Sequence, residues 1–364
     1  MKAVAVFPKG REVKVIDVPE PKPGSPTQVR VRTLEVGVCG TDKEVVEQKH
    51  GKPPEGEDHL IVGHECLGEV VEVGGQVKNL APGDLVVPRV RRPCPRAECT
   101  PCREGYSDFC VTGEYTERGI QAAHGFCAEF FVDEALYLHK VPRELRDVAV
   151  LTEPLTIAEK ALREVARVQT RMPWKQKEAG RAVVLGAGPV GLLGAMALMR
   201  AGFQTTMYSR SPKPNPKAEL SESLGMPYVS SKQHRVEELV KQRGQADVVY
   251  EAAGVASAGF ELMKALAPNG VYVFTGVPGH EEGELDEGEL MKQWVMNNQV
   301  VLGTVNAAPE DFEAAVADLG RFRTKWPGGL ERIITARHRP EDYAEVVAGQ
   351  KGSPIKDIIV FSGG

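Results

Sequence analysis

The chain has 364 residues, of which 42% are hydrophobic and 26% are charged, and its formal net charge is −5. Its length favours two domains, and its composition is that of a globular protein. The negative charge argues against a nucleic-acid-binding face, which would be basic. Lys2 and Lys9 lie in an N-terminus without a long apolar run, so we expect neither a signal peptide nor a membrane contact.

The first part of the chain predicts short β-strands. Val29, Val31 and Thr33 alternate with Arg30 and Arg32, which is the pattern of a half-buried strand. Further apolar runs, bounded by glycine, proline and aspartate, lie at 60–63, 68–73 and 84–90. We therefore expect roughly the first 150 residues to form a β-rich domain.

The pattern changes after this region. Residues 153–168 predict a helix, and 168–180 predict a loop. Strands are then predicted at 182–185, 205–208, 247–250, 271–274 and 299–302, and helices at 190–201, 217–224 and 259–267. This alternation predicts a parallel, doubly wound sheet. A helix at 311–319 and a last strand at 357–361 are predicted near the C-terminus.

The most specific cysteine pattern is a cluster of four, Cys94, Cys99, Cys102 and Cys110. Four thiolates at this spacing can enclose one zinc ion, and a closed tetrahedral set leaves no coordination site for chemistry. Because no secretion signal is present, metal binding is favoured over disulfide bonds, and we expect a cytoplasmic protein.

Gly186, Gly188 and Gly191 follow a predicted strand and open an apolar helix that begins with Pro189 and Val190. This is the context of a dinucleotide-binding turn. The first glycine makes the turn, the second lets the backbone approach the pyrophosphate, and the third allows close packing. The helix N-terminus then faces the phosphates. The alternative is a glycine-rich packing turn.

The end of the second strand predicts which cofactor binds. An NAD site usually has an acidic residue about 20 residues after the glycines. This chain has no carboxylate there and instead has Tyr208, Ser209, Arg210 and Ser211, followed by Lys213 and Lys217. Hydroxyls and cations suit a 2′-phosphate, so we predict a preference for NADP, with NAD as a second acceptor. A solvated basic loop is the alternative.

A second group of metal ligands is suggested by Cys39, the pair His64 and Glu65, and Glu153. One thiolate, one imidazole and one or two carboxylates form a zinc shell with an open position, which a catalytic zinc requires. Spacing alone leaves open the alternative that Cys39 and His64 are ordinary structural residues.

Together these motifs resemble those of the zinc-containing medium-chain dehydrogenase/reductase superfamily, over essentially the whole chain. The shared features are the CGTD turn at 39–42, the GHE motif at 63–65, the cysteine cluster and the glycine turn. Within the superfamily the chain is most similar to archaeal-type glucose 1-dehydrogenases. That similarity rests on the strings RVRRPC, GEYTERGIQAAHGFCAEFF, EPLTIAEKAL and GTVNA.

The resemblance implies an α/β fold with a GroES-like β-rich catalytic domain plus a Rossmann domain built on a doubly wound parallel sheet. The catalytic domain would comprise residues 1–165 and 304–364, and the Rossmann domain residues 166–303. It also implies a homodimer or homotetramer and two zinc ions per subunit, one catalytic and one structural.

The resemblance also assigns roles to single residues. Cys39, His64, Glu65 and Glu153 would hold the catalytic zinc, with Glu65 bound directly or through water. Thr41 would hydrogen-bond the reacting oxygen and pass its proton outward. Glu117 and Asn306 would contact the sugar hydroxyls or the nicotinamide end of the cofactor. Thr41 and Glu153 would also contact the substrate. The nicotinamide amide would be lined by Thr275, Gly276 and Val277.

The implied reaction is oxidation of an aldose, with D-glucose as the expected sugar, at C1 to the lactone. Zinc would lower the pKa of the C1 hydroxyl, and the nicotinamide would accept the hydride. Two other functions stay open. One is a polyol, secondary-alcohol or amino-alcohol dehydrogenase of the same superfamily. The other is a zinc-stabilised NADPH-binding protein without catalysis.

Overall fold

The computed structural model describes residues 1–173, 180–280, 285–352 and 354–361. Its strands are β1 Lys2–Phe7, β2 Glu12–Asp17, β3 Gln28–Gly37, β4 Leu60–Ile61, β5 Glu65–Val73, β6 Leu85–Pro88, β7 Arg91–Arg92, β8 Thr116–Arg118, β9 Ala122–Ala123, β10 Phe130–Glu134, β11 Leu138–Val141, β12 Arg181–Leu185, β13 Gln204–Ser209, β14 Tyr228–Ser230, β15 Ala246–Glu251, β16 Leu266–Phe274, β17 Val300–Gly303, β18 Ile334–His338 and β19 Lys356–Val360. Its α-helices are α1 Gly40–Val46, α2 Thr100–Arg103, α3 Thr152–Gln169, α4 Pro189–Arg200, α5 Pro216–Ser223, α6 Val236–Arg243, α7 Ala256–Leu262, α8 Glu287–Met296, α9 Pro309–Lys325 and α10 Tyr343–Val347.

The chain packs as two compact units. The first contains Met1–Thr156, Asn306–Arg321 and Leu330–Gly364, and the second contains Ile157–Val305 and Phe322–Gly329. These are packing units, and the domain limits given above remain a prediction.

The first unit is β-rich. Within the described residues its largest sheet has the order β11-β6-β5-β3-β19-β18, and β10 also pairs with β3. The central strand β3 pairs with both β5 and β19, so the N-terminal and C-terminal parts of the chain share one sheet. Val29, Val31 and Thr33 of β3 are buried, as the alternating pattern predicts. This pairing also places the ends of β3, β5 and β19 side by side.

The second unit is a parallel sheet with the order β14-β13-β12-β15-β16-β17. Its central strands are almost wholly buried, which explains their continuous apolar sequences. The strand order changes direction between β12 and β15, and ligands of such sheets bind outside the carboxyl ends of the strands at this point. The predicted α/β fold, with a β-rich domain and a doubly wound parallel sheet, is confirmed.

One predicted element is wrong in part. The helix expected at 259–267 ends at Leu262, and Leu266 already begins β16, where it pairs with Ala246. A short apolar run fits a buried strand as well as a helix, so periodicity could not separate them. The loop expected at 168–180 lies partly outside the described residues, and α3 extends to Gln169. In the described part of the chain, none of the helices combines the length and apolar character needed to cross a membrane.

Candidate metal centres and nucleotide-binding site

Three predicted ligands of the catalytic metal come together in the first unit. Cys39 directly precedes α1, His64 lies between β4 and β5, and Glu65 begins β5. Gly37 at the end of β3 pairs with Glu65, which brings the two segments together. The ligand atoms of Cys39, His64 and Glu65 lie within 4.8 Å of one another. We call these three residues the mixed-donor group.

A buried aspartate holds two members of this group. Asp42 is fully buried, and its Oδ2 accepts the backbone N–H of Cys39 at 2.7 Å. Its Oδ1 lies 3.5 Å from Nδ1 of His64, which leaves Nε2 of His64 for a metal. Burial raises the pKa of Asp42, but the facing His64 outweighs it and the pKa is lowered. Burial likewise lowers the pKa of His64, and Asp42 outweighs it, so that pKa is well above its usual value.

A buried lysine faces the third member. Lys356, at the start of β19, is 2% exposed and forms an ion pair with Oε2 of Glu65. Its Nζ also donates to the carbonyl of Val38 at 2.8 Å. The ion pair holds one oxygen of Glu65 and leaves the other for a metal or a bound water. A Cβ on Gly37 would lie 2.1 Å from Oε2 of Glu65, so this packing requires a glycine.

Two further residues were predicted at this site, Thr41 and Glu153. Sγ of Cys39 is 3.9 Å from Oγ1 of the partly exposed Thr41 in the first turn of α1. Glu153, near the start of α3, is not one of the three residues whose ligand atoms lie within 4.8 Å. Burial raises the pKa of Glu153 to about 7, with His64 opposing the shift and Glu65 adding to it. The role of Glu153 as a metal ligand remains a prediction.

The mixed-donor group fits a zinc ion. A thiolate, an imidazole and a carboxylate are all zinc ligands, and three protein ligands leave the open position of a catalytic site. Oδ1 of Asp42 faces Nδ1 of His64, which is the position from which a carboxylate orients a ligating histidine.

The four clustered cysteines form a second candidate metal centre, which we call the cysteine lobe. Sγ of Cys94, Cys99, Cys102 and Cys110 all lie within 4.8 Å of one another. The side chains that pack together here are the cysteines themselves, so the lobe has little other core. Cys94 donates its backbone N–H to Sγ of Cys102 at 3.4 Å, and Sγ of Cys110 lies 3.3 Å from Oγ1 of Thr112. Four free thiols with such partners fit a closed tetrahedral zinc site.

Two histidines and a glutamate form a third group, Glu57, His59 and His124, whose ligand atoms also lie within 4.8 Å. Nδ1 of His124 accepts the backbone N–H of Ile61 at 3.1 Å, and its Nε2 lies 2.7 Å from Oε2 of Glu57. Neutral His124 must therefore carry its proton on Nε2 and donate it to Glu57. A metal bound at Nε2 would require the proton of His124 to move to Nδ1, where it would face the N–H of Ile61. The hydrogen bond from Ile61 therefore opposes metal binding at Nε2.

The predicted dinucleotide turn joins β12 to α4 in the second unit. Gly186 has φ +101°, and a Cβ on Gly191 would lie 2.0 Å from the carbonyl oxygen of Gly186. A Cβ on Gly188 would meet open space, so its backbone stays accessible. Gly188 caps α4, with Pro189 and Val190 in the first turn. The first N–H groups of this 12-residue helix have no helical partners and suit a phosphate.

At the end of β13 lie the residues predicted to select the cofactor. Ser209 ends the strand, and Arg210 and Ser211 are exposed. Lys213 forms an ion pair with Glu222. Lys217 is partly buried, and burial lowers its pKa. Arg210 is therefore the exposed cation next to the strand end, while Lys213 is already neutralised.

A glutamate that the sequence did not single out connects the turns after β15 and β16. Glu251 ends β15 and is 1% exposed. Its Oε1 accepts the backbone N–H groups of Ala253 and Gly254, both at 2.7 Å, and its Oε2 accepts that of Gly276 at 3.1 Å. Oγ1 of Thr275 donates to the Glu251 carbonyl at 2.7 Å.

This carboxylate fixes the backbone predicted to line the nicotinamide. A Cβ on Gly276 would lie 2.2 Å from the backbone nitrogen of Gly254, so the two turns touch. The next residue, Val277, is 71% exposed. Only the position of Glu251 at a strand end could have signalled its role, since its partner Gly276 lies in a different turn, 25 residues further along the chain.

The two residues predicted to meet the sugar are joined in the first unit. Nδ2 of Asn306 donates to Oε1 of the buried Glu117 at 2.9 Å. Oδ1 of Asn306 accepts the backbone N–H of Ala307, also at 2.9 Å. These contacts fix both side chains, although 189 residues separate Asn306 from Glu117 in the sequence.

A β-rich unit that carries candidate zinc ligands, together with a parallel sheet that has a dinucleotide-type glycine turn, is typical of the zinc-containing medium-chain dehydrogenases. Residues 25–143 match the family described as alcohol dehydrogenase GroES-like domain, and residues 146–361 match the family described as glucose dehydrogenase C-terminus.

Whole-length relatives agree with these matches. Glucose 1-dehydrogenase of Thermoproteus tenax is 44% identical over 348 residues, covering 95% of both chains. That of Methanocella arvoryzae is 39% identical over 353 residues, covering 96% of this chain and 97% of the relative. The structure of Haloferax mediterranei glucose dehydrogenase in complex with NADP, Zn and gluconolactone has a TM-score of 0.89 and 37% identity, with full coverage of both chains.

The chain belongs to the glucose dehydrogenase family of the zinc-containing medium-chain dehydrogenases, and the resemblance drawn from the sequence is confirmed.

Proposed function

We propose that this protein is an NADP-linked, zinc-dependent glucose 1-dehydrogenase, which oxidises D-glucose at C1 to the lactone and reduces the nicotinamide cofactor. The observation that carries the proposal is the mixed-donor group, with ligand atoms of Cys39, His64 and Glu65 within 4.8 Å. Structural zinc sites are closed by four protein ligands, whereas three ligands leave a coordination position open for a substrate. Relatives named glucose 1-dehydrogenase, matching over nearly the full length, support the sugar.

When bound at this group, zinc supplies a Lewis acid that lowers the pKa of the C1 hydroxyl. The chain's own residues place and deprotonate that hydroxyl. Thr41 lies beside Cys39 and is partly exposed, so its hydroxyl can accept the proton of the C1 hydroxyl while it donates its own proton to solvent. Asp42 and Lys356 keep His64 and Glu65 oriented. We assign Glu153 to the substrate side of the same group.

Sugar recognition is assigned to Glu117 and Asn306. A buried carboxylate and an amide with fixed rotamers can accept from and donate to neighbouring hydroxyls of a pyranose. A site built from such groups rejects analogues that lack the matching hydroxyl.

The nucleotide is assigned to the second unit. Gly186, Gly188 and Gly191 would receive the pyrophosphate, and Ser209, Arg210 and Ser211 the 2′-phosphate. The turn of Thr275, Gly276 and Val277, fixed by Glu251, would line the nicotinamide. The open environment of Gly188 supports binding of the pyrophosphate, and the absence of an acidic residue at the end of β13 supports NADP.

The substrate proposal is tested by steady-state kinetics with glucose, galactose, xylose and sorbitol, each with NADP and NAD. We expect the highest kcat/KM with glucose and NADP. Higher values with sorbitol would contradict the sugar assignment. The metal proposal is tested by metal analysis, for which we expect two zinc ions per chain.

The cofactor assignment is tested by Arg210→Gln. Losing one charged hydrogen bond should weaken NADPH binding by about 10-fold and leave NADH binding unchanged within about twofold. Lys213→Gln is the matched control, because Lys213 is already paired with Glu222, and should have the smaller effect. Equal weakening of both nucleotides by Arg210→Gln would contradict 2′-phosphate recognition.

We also propose a homodimer or homotetramer. Within the described sheet, β17 is an edge strand with one unpaired side. Nearby in sequence, α8 exposes Met291, Val295 and Met296, each more than 60% exposed. An unpaired edge with exposed apolar side chains favours association. Light scattering that reports a monomer at micromolar concentration would contradict it.

A reducing, cytoplasmic location is the remaining part of the proposal. All seven cysteines are free thiols in the structure, including the pair Cys66 and Cys127 outside the metal groups. Free thiols and thiolate metal sites persist where disulfides are rare. Fractionation that finds the protein in an oxidising compartment would contradict it.

A further inference from the structure

Arg91, at the start of β7, connects the cysteine lobe to Glu117. Its Nε donates to Oε1 of Glu117 at 3.0 Å, and its Nη1 lies 3.4 Å from the carbonyl of Asp108. The hydroxyl of Ser107 donates to the carbonyl of Arg91 at 3.4 Å. The guanidinium also stacks on the ring of Tyr115, 3.7 Å from its centroid. Arg91 and Glu117 are both buried and face each other in the β7–β8 pair.

These contacts use only one of the two carboxylate oxygens of Glu117. Its Oε1 accepts from both Arg91 and Asn306, at 3.0 and 2.9 Å. Among the described residues, the hydrogen bonds of this carboxylate all end on Oε1, so Oε2 keeps its capacity to accept. Glu117 therefore presents one oxygen in a fixed direction, and the guanidinium keeps a negative charge there favourable.

The main chain places the segment that follows Glu117 against the segment that precedes His64. Gly119, two residues further along, packs against Gly63, and a Cβ on Gly119 would lie 2.4 Å from the carbonyl oxygen of Gly63. Gly63 directly precedes His64. Under the proposed function, a hydroxyl bound by Oε2 of Glu117 belongs to the sugar whose C1 hydroxyl is held at the mixed-donor group.

We propose that Arg91 is a positioning residue for sugar recognition, which fixes Glu117 so that Oε2 accepts a hydroxyl of the substrate. This inference rests on the proposed function, because Glu117 meets a sugar only under that proposal. An arginine is required because its planar group stacks on Tyr115 while Nε donates in the plane. A lysine would keep the charge but could not make both contacts in the same way.

The test is a double-mutant cycle of Arg91→Met and Glu117→Gln, read as the KM of the panel substrate with the highest kcat/KM. Arg91→Met should raise that KM about 10-fold or more, since a hydrogen bond to a charged group is lost. It should leave the KM for NADP and the zinc content unchanged. In the Glu117→Gln background the same substitution should raise the substrate KM by less than about twofold, because the two residues share one interaction.

Arg92→Met is the matched control. Arg92 is the neighbouring arginine, pairs with Asp133 and stacks on Tyr137, and so tests the loss of a comparable side chain without a Glu117 contact. Its substrate KM should change by less than about twofold. If Arg91→Met does not fold, the cycle is run with Arg91→Lys. We then expect a smaller increase in the substrate KM, which should again nearly disappear in the Glu117→Gln background.

Three results overturn the inference. The first is that Arg91→Met raises the substrate KM by the same factor in the wild-type and Glu117→Gln backgrounds. The second is that Arg92→Met raises the substrate KM as much as Arg91→Met does. The third is that Arg91→Met does not raise the substrate KM. The outcome is separate from that of the proposed function. A wild-type enzyme that oxidises glucose but gives an additive cycle contradicts only the role of Arg91. A wild-type enzyme without turnover on any panel substrate contradicts both.

Discussion

The cysteine lobe and the mixed-donor group are two candidate metal centres built on opposite principles. The lobe takes four ligands of one kind from a single stretch of 17 residues, Cys94 to Cys110. The mixed-donor group takes three different ligands from the ends of strands, with Cys39 far from His64 in sequence. The lobe is closed, whereas three donors leave a coordination position for a substrate.

The cysteine lobe and the mixed-donor group also differ in the charge of the residues around them. The sulfur of Cys110 has a neutral, partly exposed neighbour in Thr112. The mixed-donor group is held by two buried charges, Asp42 against His64 and Lys356 against Glu65. Buried charges are costly unless paired, so their presence indicates a centre whose orientation matters for chemistry. The comparison therefore predicts that the lobe governs stability and the mixed-donor group governs turnover.

The largest effect is expected for Cys39→Ser. Loss of one ligand removes the Lewis acid from the reacting hydroxyl, and kcat should fall by about 100-fold or more. NADPH binding, measured by fluorescence titration, should stay within about twofold. Cys66→Ala, a buried cysteine outside both metal groups, is the control and should keep its turnover. Near-full turnover of the Cys39 variant would end the assignment.

Next in size is Cys102→Ser in the cysteine lobe. The variant should bind one zinc ion fewer per chain and lose about 2–5 kcal/mol of stability, because metal binding contributes directly to folding of such a lobe. The kcat of the remaining folded enzyme should fall less than about tenfold. Metal analysis, thermal unfolding and kinetics on one preparation check this. A variant as stable as the wild type but inactive would reverse the comparison.

A smaller effect is expected for Asp42→Asn, which keeps the size of the side chain but removes its charge. The imidazole of His64 then loses a negative partner, and metal affinity should fall by about 10- to 100-fold. Competition with a chelator, followed by the loss of activity, measures it. Unchanged affinity would show that the 3.5 Å contact between Asp42 and His64 does not orient the ligand.

The smallest effect is expected for Thr112→Val at the cysteine lobe. The substitution removes one neutral hydroxyl next to a sulfur, which is worth about 1 kcal/mol, so zinc affinity of the lobe should fall less than about tenfold. The same chelator assay applies, now with metal content as the readout. If Thr112→Val lowered zinc affinity as much as Asp42→Asn does, the proposed difference between the charged neighbours of the mixed-donor group and the neutral neighbour of the cysteine lobe would be wrong.

The sequence by itself determined the features that depend on near neighbours. The cysteine lobe, the glycine turn and most strands of both sheets were predicted, because each needs only residues a few positions apart. The type of fold followed from the alternation of strands and helices, and family membership followed from longer strings. The strand–helix boundary near Leu266 was wrong, since short apolar runs fit both states.

Only the tertiary structure decided which distant groups meet. The register of β3 between β5 and β19 brings Lys356 to Glu65 and Cys39 to His64, and a shift of one residue would turn these side chains to the other face. The roles of Asp42, Arg91 and Glu251 depend in the same way on contacts across strands and turns. Such contacts carry no local sequence signal, because burial and hydrogen-bond geometry are set only when the whole sheet has packed.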